Sequence, residues 1–215
     1  MPPHYPQNSN SSDPESGALD VYFLGCVDFE ATELLQQKFT EEIEFRRDLH
    51  GKLLICEHPP LISVGREGSH ADLRYSDVWL TKNHEDRIVR PPLEVRWVKR
   101  GGGALVHAPG QLAIYQVIPY TRQGFNVVEY RDRLMRAVTR ACEESRIAVE
   151  CRNADLGLFT RHGQVGFVGL SCRDGIISRG MYLNVAAPLE LLRQAHWSME
   201  NDSVESGRCT EPANL

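Results

Sequence analysis

The sequence predicts an α+β domain, a mostly antiparallel sheet with helices packed on one side. Three observations predict it. Short β-branched and aromatic runs recur at close spacing with Gly and Pro between them, as hairpins require. Only two long segments carry the 3.6-residue apolar period of a helix. The resulting order is β-α-βββ, then α, then five strand-like runs and a short helix, which suits a sheet covered by helices.

Taken in order, MPPHYPQNSNSSDPESG is rich in Pro, Ser and Asn, so residues 1–18 are expected to be a disordered tail. LDVYFLG (19–25) reads as the first strand. Leu35, Phe39 and Ile43 then repeat at four-residue spacing, predicting a helix to about Leu49 that Gly51 stops. KLLICEH (52–58) is a buried strand closed by Pro59 and Pro60, and LISVG (61–65) is another. Residues 66–94 show no usable period. VRWVKR, ALVH and QLAIYQVIP follow as strand, strand and strand, separated by a triple glycine and a Pro-Gly turn. Val127, Tyr130, Leu134, Val138 and Ala141 line one face of a second helix. IAVEC, LGLFT, QVGFVGLSC, GIIS and MYLNVA are five short strands. PLELLRQAH begins a last helix at Pro188, and residues 201–215 read as a loose tail after a domain of residues 19–200.

Composition narrows the function. The 215 residues hold 24 basic and 29 acidic side chains, a net charge of −5 that argues against a nucleic-acid-binding surface. No apolar run is long enough to span a bilayer, and the opening residues lack the apolar block of a secretory signal. Six cysteines without CxxC spacing speak against a zinc ribbon or a disulfide scaffold, and fit a reducing cytoplasm. No metal site or cofactor is expected.

The stretch with the most chemistry in it is KRGGGALVHAPGQ, Lys99 to Gln111. Three successive glycines let backbone amides approach a ligand where a Cβ would forbid it. Arg100 precedes them with a forked set of donors suited to a carboxylate, carbonyl or phosphate. His107 ends the next strand beside the Pro109–Gly110 turn. The stretch is neither a Walker loop nor a dinucleotide fingerprint, because GxxxxGK[ST] is absent and the glycines lead into a strand. Two hairpin turns with a surface Arg and His would explain the same residues.

With this motif the sequence resembles the lipoyl(octanoyl) transferases, relatives of the biotin and lipoate protein ligases. Their signature RGG-x-x-TYHGPGQ stands here as RGGGALVHAPGQ. EHPPLISVGREGSHADL (57–73) is similar to their EHPP…LGR segment. GLFTRHGQVGFVGLSCRDGIISRGMYLNV (157–185) is similar to their KIAAIG…HG-x-ALNV segment, without a gap from Gln164 to Asn184. The resemblance implies transfer of an octanoyl group from acyl carrier protein to a lysine of a lipoyl domain. It implies an acyl pocket walled by Arg100, Gly101, Gly102, Gly103, Ala104, Leu105, Val106 and His107, by Phe167, Val168 and Gly169, and by Gly180, Met181 and Tyr182. An apolar slot would take the chain, while amides near the glycines would stabilise the thioester oxyanion.

The family's chemistry uses a cysteine nucleophile and a lysine that lowers its pKa. Here the lysine position holds Gln164, and the cysteine falls by ungapped count on Ser198. Arg179 replaces a histidine, Leu105 and Val106 replace Thr-Tyr, and Ala108 replaces a glycine. Gln164 cannot act as a base, His107 or His196 could, and a shifted alignment would bring in Cys172 or Cys209. Lipoate ligases also use a lysine there, so ATP-dependent activation fits less well. Three readings stay open: an octanoyltransferase of lipoate biosynthesis, a catalytically inactive homologue that binds an acyl chain, a lipoyl domain or acyl carrier protein, or an α+β domain whose likeness to the family is ancestral only. The implied partners are acyl carrier protein and the lipoyl domains of 2-oxoacid dehydrogenase or glycine cleavage complexes, met by a monomer. Arg87, Arg90, Arg96, Lys99 and Arg100 would form a basic docking patch for the acidic carrier.

Overall fold

A computed structural model describes residues 18–47, 49–73, 93–152, 157–193 and 212–215. Strand β1 (Leu19–Cys26) leads into helix α1 (Phe29–Arg46), whose first amides are capped by the Asp28 carboxylate. The helix ends earlier than the apolar spacing suggested. Arg47 takes the left-handed conformation, φ 54°, and closes the last turn through its N–H to the Ile43 carbonyl. Gly51 is therefore no helix stop. It opens β2 (Gly51–Glu57), where a Cβ would sit 2.4 Å from Ile118 Cδ1. β3 (Leu61–Val64), β4 (Glu94–Trp97), β5 (Ala104–His107) and β6 (Gln111–Val117) follow, then α2 (Val127–Glu144).

A reciprocal capping box between Asn126 and Glu129 starts α2. Its inward stripe is rotated from the one the spacing suggested: Met135 and Cys142 are the buried residues, Leu134 and Val138 flank them, and Ala141 is exposed. β7 (Glu150–Arg152), β8 (Gly157–Thr160), β9 (Gly163–Arg173) and β10 (Ile176–Asn184) then form successive antiparallel pairs. GIIS and MYLNVA are one strand, not two. The chain passes through Arg179 at φ 70° and Gly180 without leaving the β9 ladder. The final helix α3 covers only Leu189–Leu192, with Pro188 as its N-cap residue.

The strands make two sheets among the described residues. The larger runs β1-β2-β6-β10-β9-β8-β7 and is antiparallel except for β1 with β2. The smaller runs β4-β3-β5. The α+β class and the mostly antiparallel sheet stand as read from the sequence. The layering is finer than one helical side, because neighbouring residues of β10 serve different cores. Tyr182 packs with Tyr115, Leu54 and the α1 residues Phe39 and Ile43. Met181 and Leu183 pack with α2's Met135 and with Leu158 and Val165. A third cluster joins the small sheet to α3 through Val64, Val106, Leu191 and Leu192.

Part of the C-terminal stretch is docked. The Ala213 N–H donates to the Gln164 carbonyl at 2.8 Å, and the Leu215 N–H to the Asn184 carbonyl at 2.9 Å. Asn214 bonds Ala187 twice, accepting from its N–H and donating to its carbonyl, both at 3.0 Å. Residues 212–215 thus correct the expectation of a loose tail for that part of it. The expected tail of residues 1–17 and residues 194–211 lie outside the described residues.

Candidate functional site

The glycine turn is built by its neighbours. Gly65 lies so close that a Cβ would meet the Gly102 carbonyl at 2.1 Å. Gly169 of β9 faces it from the other side, its missing Cβ 3.1 Å from the Gly101 carbonyl. Between them the turn is held by N–H donors of Gly65, Arg66 and Glu67 to the carbonyls of Gly103, Arg100 and Gly102. Two of its own amides are already engaged: Gly101 donates to Leu170 O at 3.1 Å, and Gly102 to the Glu67 carboxylate. Those two are not open oxyanion donors, contrary to the expectation for the turn.

Arg100 braces the turn from inside. Only 3% exposed, it donates from Nη1 to the Gly101 carbonyl at 3.0 Å, and from Nη2 to the carbonyl and hydroxyl of Ser63 at 2.9 and 2.8 Å. The fork read as ligand-facing grips its own chain instead. Burial works against its charge and lowers its pKa from the usual arginine range. Ser63 accepts from Arg100, which can only donate, and its O–H is free to donate to His107 Nε2, 2.7 Å away. With the hydroxyl so directed, the His107 proton lies on Nδ1, an atom buried without a hydrogen-bond partner.

His107 is 1% exposed and sits beneath the site among Phe29, His58 and Tyr182, with ring centroids 5.0, 5.6 and 5.0 Å away. Burial first, then His58 and Arg100, hold its pKa well below the usual histidine range, so it is neutral. His58 is lowered as well, chiefly by burial. Its Nδ1 donates to the Val27 carbonyl at 2.8 Å, leaving Nε2 to accept the Tyr115 hydroxyl at 2.7 Å.

Above this layer an open cavity is walled by three of the segments named from sequence. Arg100, Gly101, Gly102, Gly103, Ala104, Leu105 and Val106 line it, with Gln164, with Phe167, Val168 and Gly169, and with Tyr182. His107 lies behind this wall and does not line it. Gly180 does not line it either; it is the place where β10 touches β6, its missing Cβ 1.9 Å from the Ile114 carbonyl. Met181 points into the core under α2. Ser198, His196 and Cys209 lie outside the described residues.

Five lining residues were missed. Gln111 and Asn184 face each other across β6 and β10, and the Gln111 amide donates to Asn184 Oδ1 at 3.0 Å and to the Val106 carbonyl at 3.1 Å. Both stood inside the quoted motifs, which was the available signal. Leu192, Arg193 and Pro212 complete the wall with no comparable signal in sequence.

No described cysteine lines the cavity. Cys56 is buried, and desolvation pushes its thiol up to about 12. Cys172 is likewise raised by burial. Gln164 donates weakly to the Gly166 carbonyl at 3.4 Å and carries no charge. Among the described residues no cluster of His, Cys, Asp or Glu could hold a metal, and no helix is long and apolar enough to cross a membrane. The basic patch is not assembled as drawn. Arg96 is paired with Glu94 and Glu30, Arg100 is buried, Lys99 is exposed, and Arg87 and Arg90 lie outside the described residues.

Fold and cavity together define an α+β domain with an open cavity at the glycine turn. A solved bipartite lipoate protein ligase from Thermoplasma acidophilum superposes with a TM-score of 0.57 over 87% of this chain and 69% of that one, at 12% identity. A family model of the lipoyl protein ligase A/B catalytic domain matches residues 29–214. An octanoyltransferase of Aromatoleum aromaticum is 30% identical over 189 residues, 88% of this chain and 73% of that protein. One of Geotalea uraniireducens is 27% identical over 171 residues, 80% and 72% of the two chains. The chain belongs to the lipoyl protein ligase A/B catalytic-domain family, and curated octanoyltransferases are among its relatives.

Proposed function

We propose that this protein binds an octanoyl chain in the cavity beside Gly101–Gly103 and Gly169, and transfers it from acyl carrier protein to a lysine of a lipoyl domain. The observation that carries the reading is the open cavity, walled by Leu105, Val106, Phe167, Val168 and Tyr182, in a chain whose relatives are octanoyltransferases. An apolar slot of this make-up suits a saturated acyl chain. In this reading Gln164 stands by the acyl carbonyl, where its amide can donate a hydrogen bond, and Ser198 stands at the nucleophile's position. The reaction needs no cofactor, takes place in the cytoplasm, and has the lipoyl domains of 2-oxoacid dehydrogenase or glycine cleavage complexes as acceptors.

One observation favours the second reading, a binder without transfer. The described lining holds amides, guanidinium groups and a phenol, and neither a thiol nor a general base. Intact mass spectrometry of the protein mixed with octanoyl-acyl carrier protein and a lipoyl domain separates the two. Octanoylated lipoyl domain, lost in Ser198→Ala, is the expected result. A stable complex with no mass transfer establishes the binder, and neither product nor complex refutes both.

A further inference from the structure

The wall of the cavity is finished by a segment distant in sequence from every motif. Pro212 forms a parallel bridge with Gln164, and Ala213, 4% exposed, drives into the core formed by Val165, Val168 and Leu183. The segment cannot slide, because Asn214 holds both backbone groups of Ala187. Pro212 is therefore a rigid apolar ring held by its bridge to Gln164 and by the docked residues that follow it, with no N–H of its own to offer a ligand. Of the other lining residues its bridge places Gln164, half-buried, directly beside it; Arg193 in the same wall is exposed, and Val106, Asn184 and Leu192 are buried.

We infer that Pro212 is a specificity-determining residue, set in place by Asn214, that narrows the cavity at the carbonyl end of the acyl group. The inference rests on the reading that puts the acyl carbonyl at Gln164. With the carbonyl there, the Pro212 ring lies against the first carbons of the chain and leaves room for a straight chain but not for a branch at the α-carbon. Chain length is read elsewhere, by the buried residues further in.

The test compares binding of hexanoyl-, octanoyl-, decanoyl- and 2-methyloctanoyl-acyl carrier protein to the full chain, its Pro212→Ala variant and its Asn214→Ala variant. Carrier contacts are common to all four probes and cancel in the ratios. A methyl group admitted to apolar surroundings gains roughly fourfold in affinity. Pro212→Ala is expected to raise the 2-methyloctanoyl to octanoyl ratio by about that factor or more, while the hexanoyl, octanoyl and decanoyl ratios stay as they were. Asn214→Ala is expected to move the same ratio in the same direction. General loosening of the domain would shift the length ratios too, and that outcome overturns the assignment. So does an unchanged branched-to-straight ratio in variants that still bind octanoyl carrier. Failure of the unaltered protein to bind any of the four probes overturns the acyl reading itself, and this inference with it.

Discussion

Replacing Ser63 by alanine probes the layer beneath the cavity. Ser63 is fully buried, and its hydroxyl joins two groups that the sequence places 37 and 44 residues away, Arg100 and His107. The variant loses one hydrogen bond from a charged donor, worth about 1.5–3 kcal/mol, and one neutral bond worth about 1 kcal/mol. His107 then has neither ring nitrogen satisfied, since Nδ1 already lacks a partner. Arg100 keeps its bond to the Ser63 carbonyl, which limits the loss. The expected destabilisation is about 2.5–4 kcal/mol, measured by urea unfolding at neutral pH with an unchanged slope. For a chain of this size that corresponds to a fall in Tm of roughly 5–15 °C. Nitrogen-15 spectra supply a second readout: His107 should be the Nδ1–H tautomer in the unaltered protein, and lose its strong Nε2 acceptor signature in the variant. A loss below about 1 kcal/mol, or a His107 found protonated on Nε2, would refute the bonding pattern from which the figure is worked.

Two further predictions follow from the same geometry. His58 and His107 both have lowered pKa values, so the unfolded chain binds their protons more readily than the folded one. The stability they contribute is complete above the ordinary histidine value of about 6.5 and declines as pH falls beneath it, both histidines adding to the slope in the same direction. Urea unfolding between pH 7.5 and 5 checks this, and a flat profile across that window would contradict it. The glycines of β9 and β10 should separate site from scaffold. Gly180→Ala forces a Cβ onto the Ile114 carbonyl and should cost about 3 kcal/mol or more, whereas Gly169→Ala meets Gly101 O at 3.1 Å and Arg100 Cδ at 3.3 Å and should cost about 1 kcal/mol. Thermal unfolding orders the two, and acyl-carrier binding should fall in Gly169→Ala while the protein stays folded.

Much of the cavity was legible because its wall is continuous in sequence. A triple glycine between strands marks a close backbone approach wherever it occurs, and the segments 100–106 and 167–169 carry over as pieces. Single residues were harder. Met181 and Tyr182 are adjacent and both apolar enough to line a pocket, yet strand alternation sends one under α2 and the other to the cavity. Arg179 at φ 70° was invisible as a strand residue, because nothing local explains it. Its backbone N–H is held by Gln36 and its guanidinium by Glu33, both on α1 and more than 140 positions away. Arg100 was read as a ligand donor because its fork is apt for one, but its partners are the carbonyls and hydroxyl that the fold brings to it.

The sequence by itself determined the family, the α+β class and the order of nearly every strand, since these depend on local period, turn chemistry and contiguous motifs. It also determined that a neutral amide stands at position 164. Only the tertiary structure decided which groups face the cavity and which are consumed in holding it. The hydrogen bonds that join Ser63 with Arg100 and His107, and the seating of residues 212–215 against Gln164 and Ala187, link positions tens of residues apart. Burial then decides their chemistry, making His107 neutral and Cys56 unreactive where composition alone showed only a histidine and a thiol.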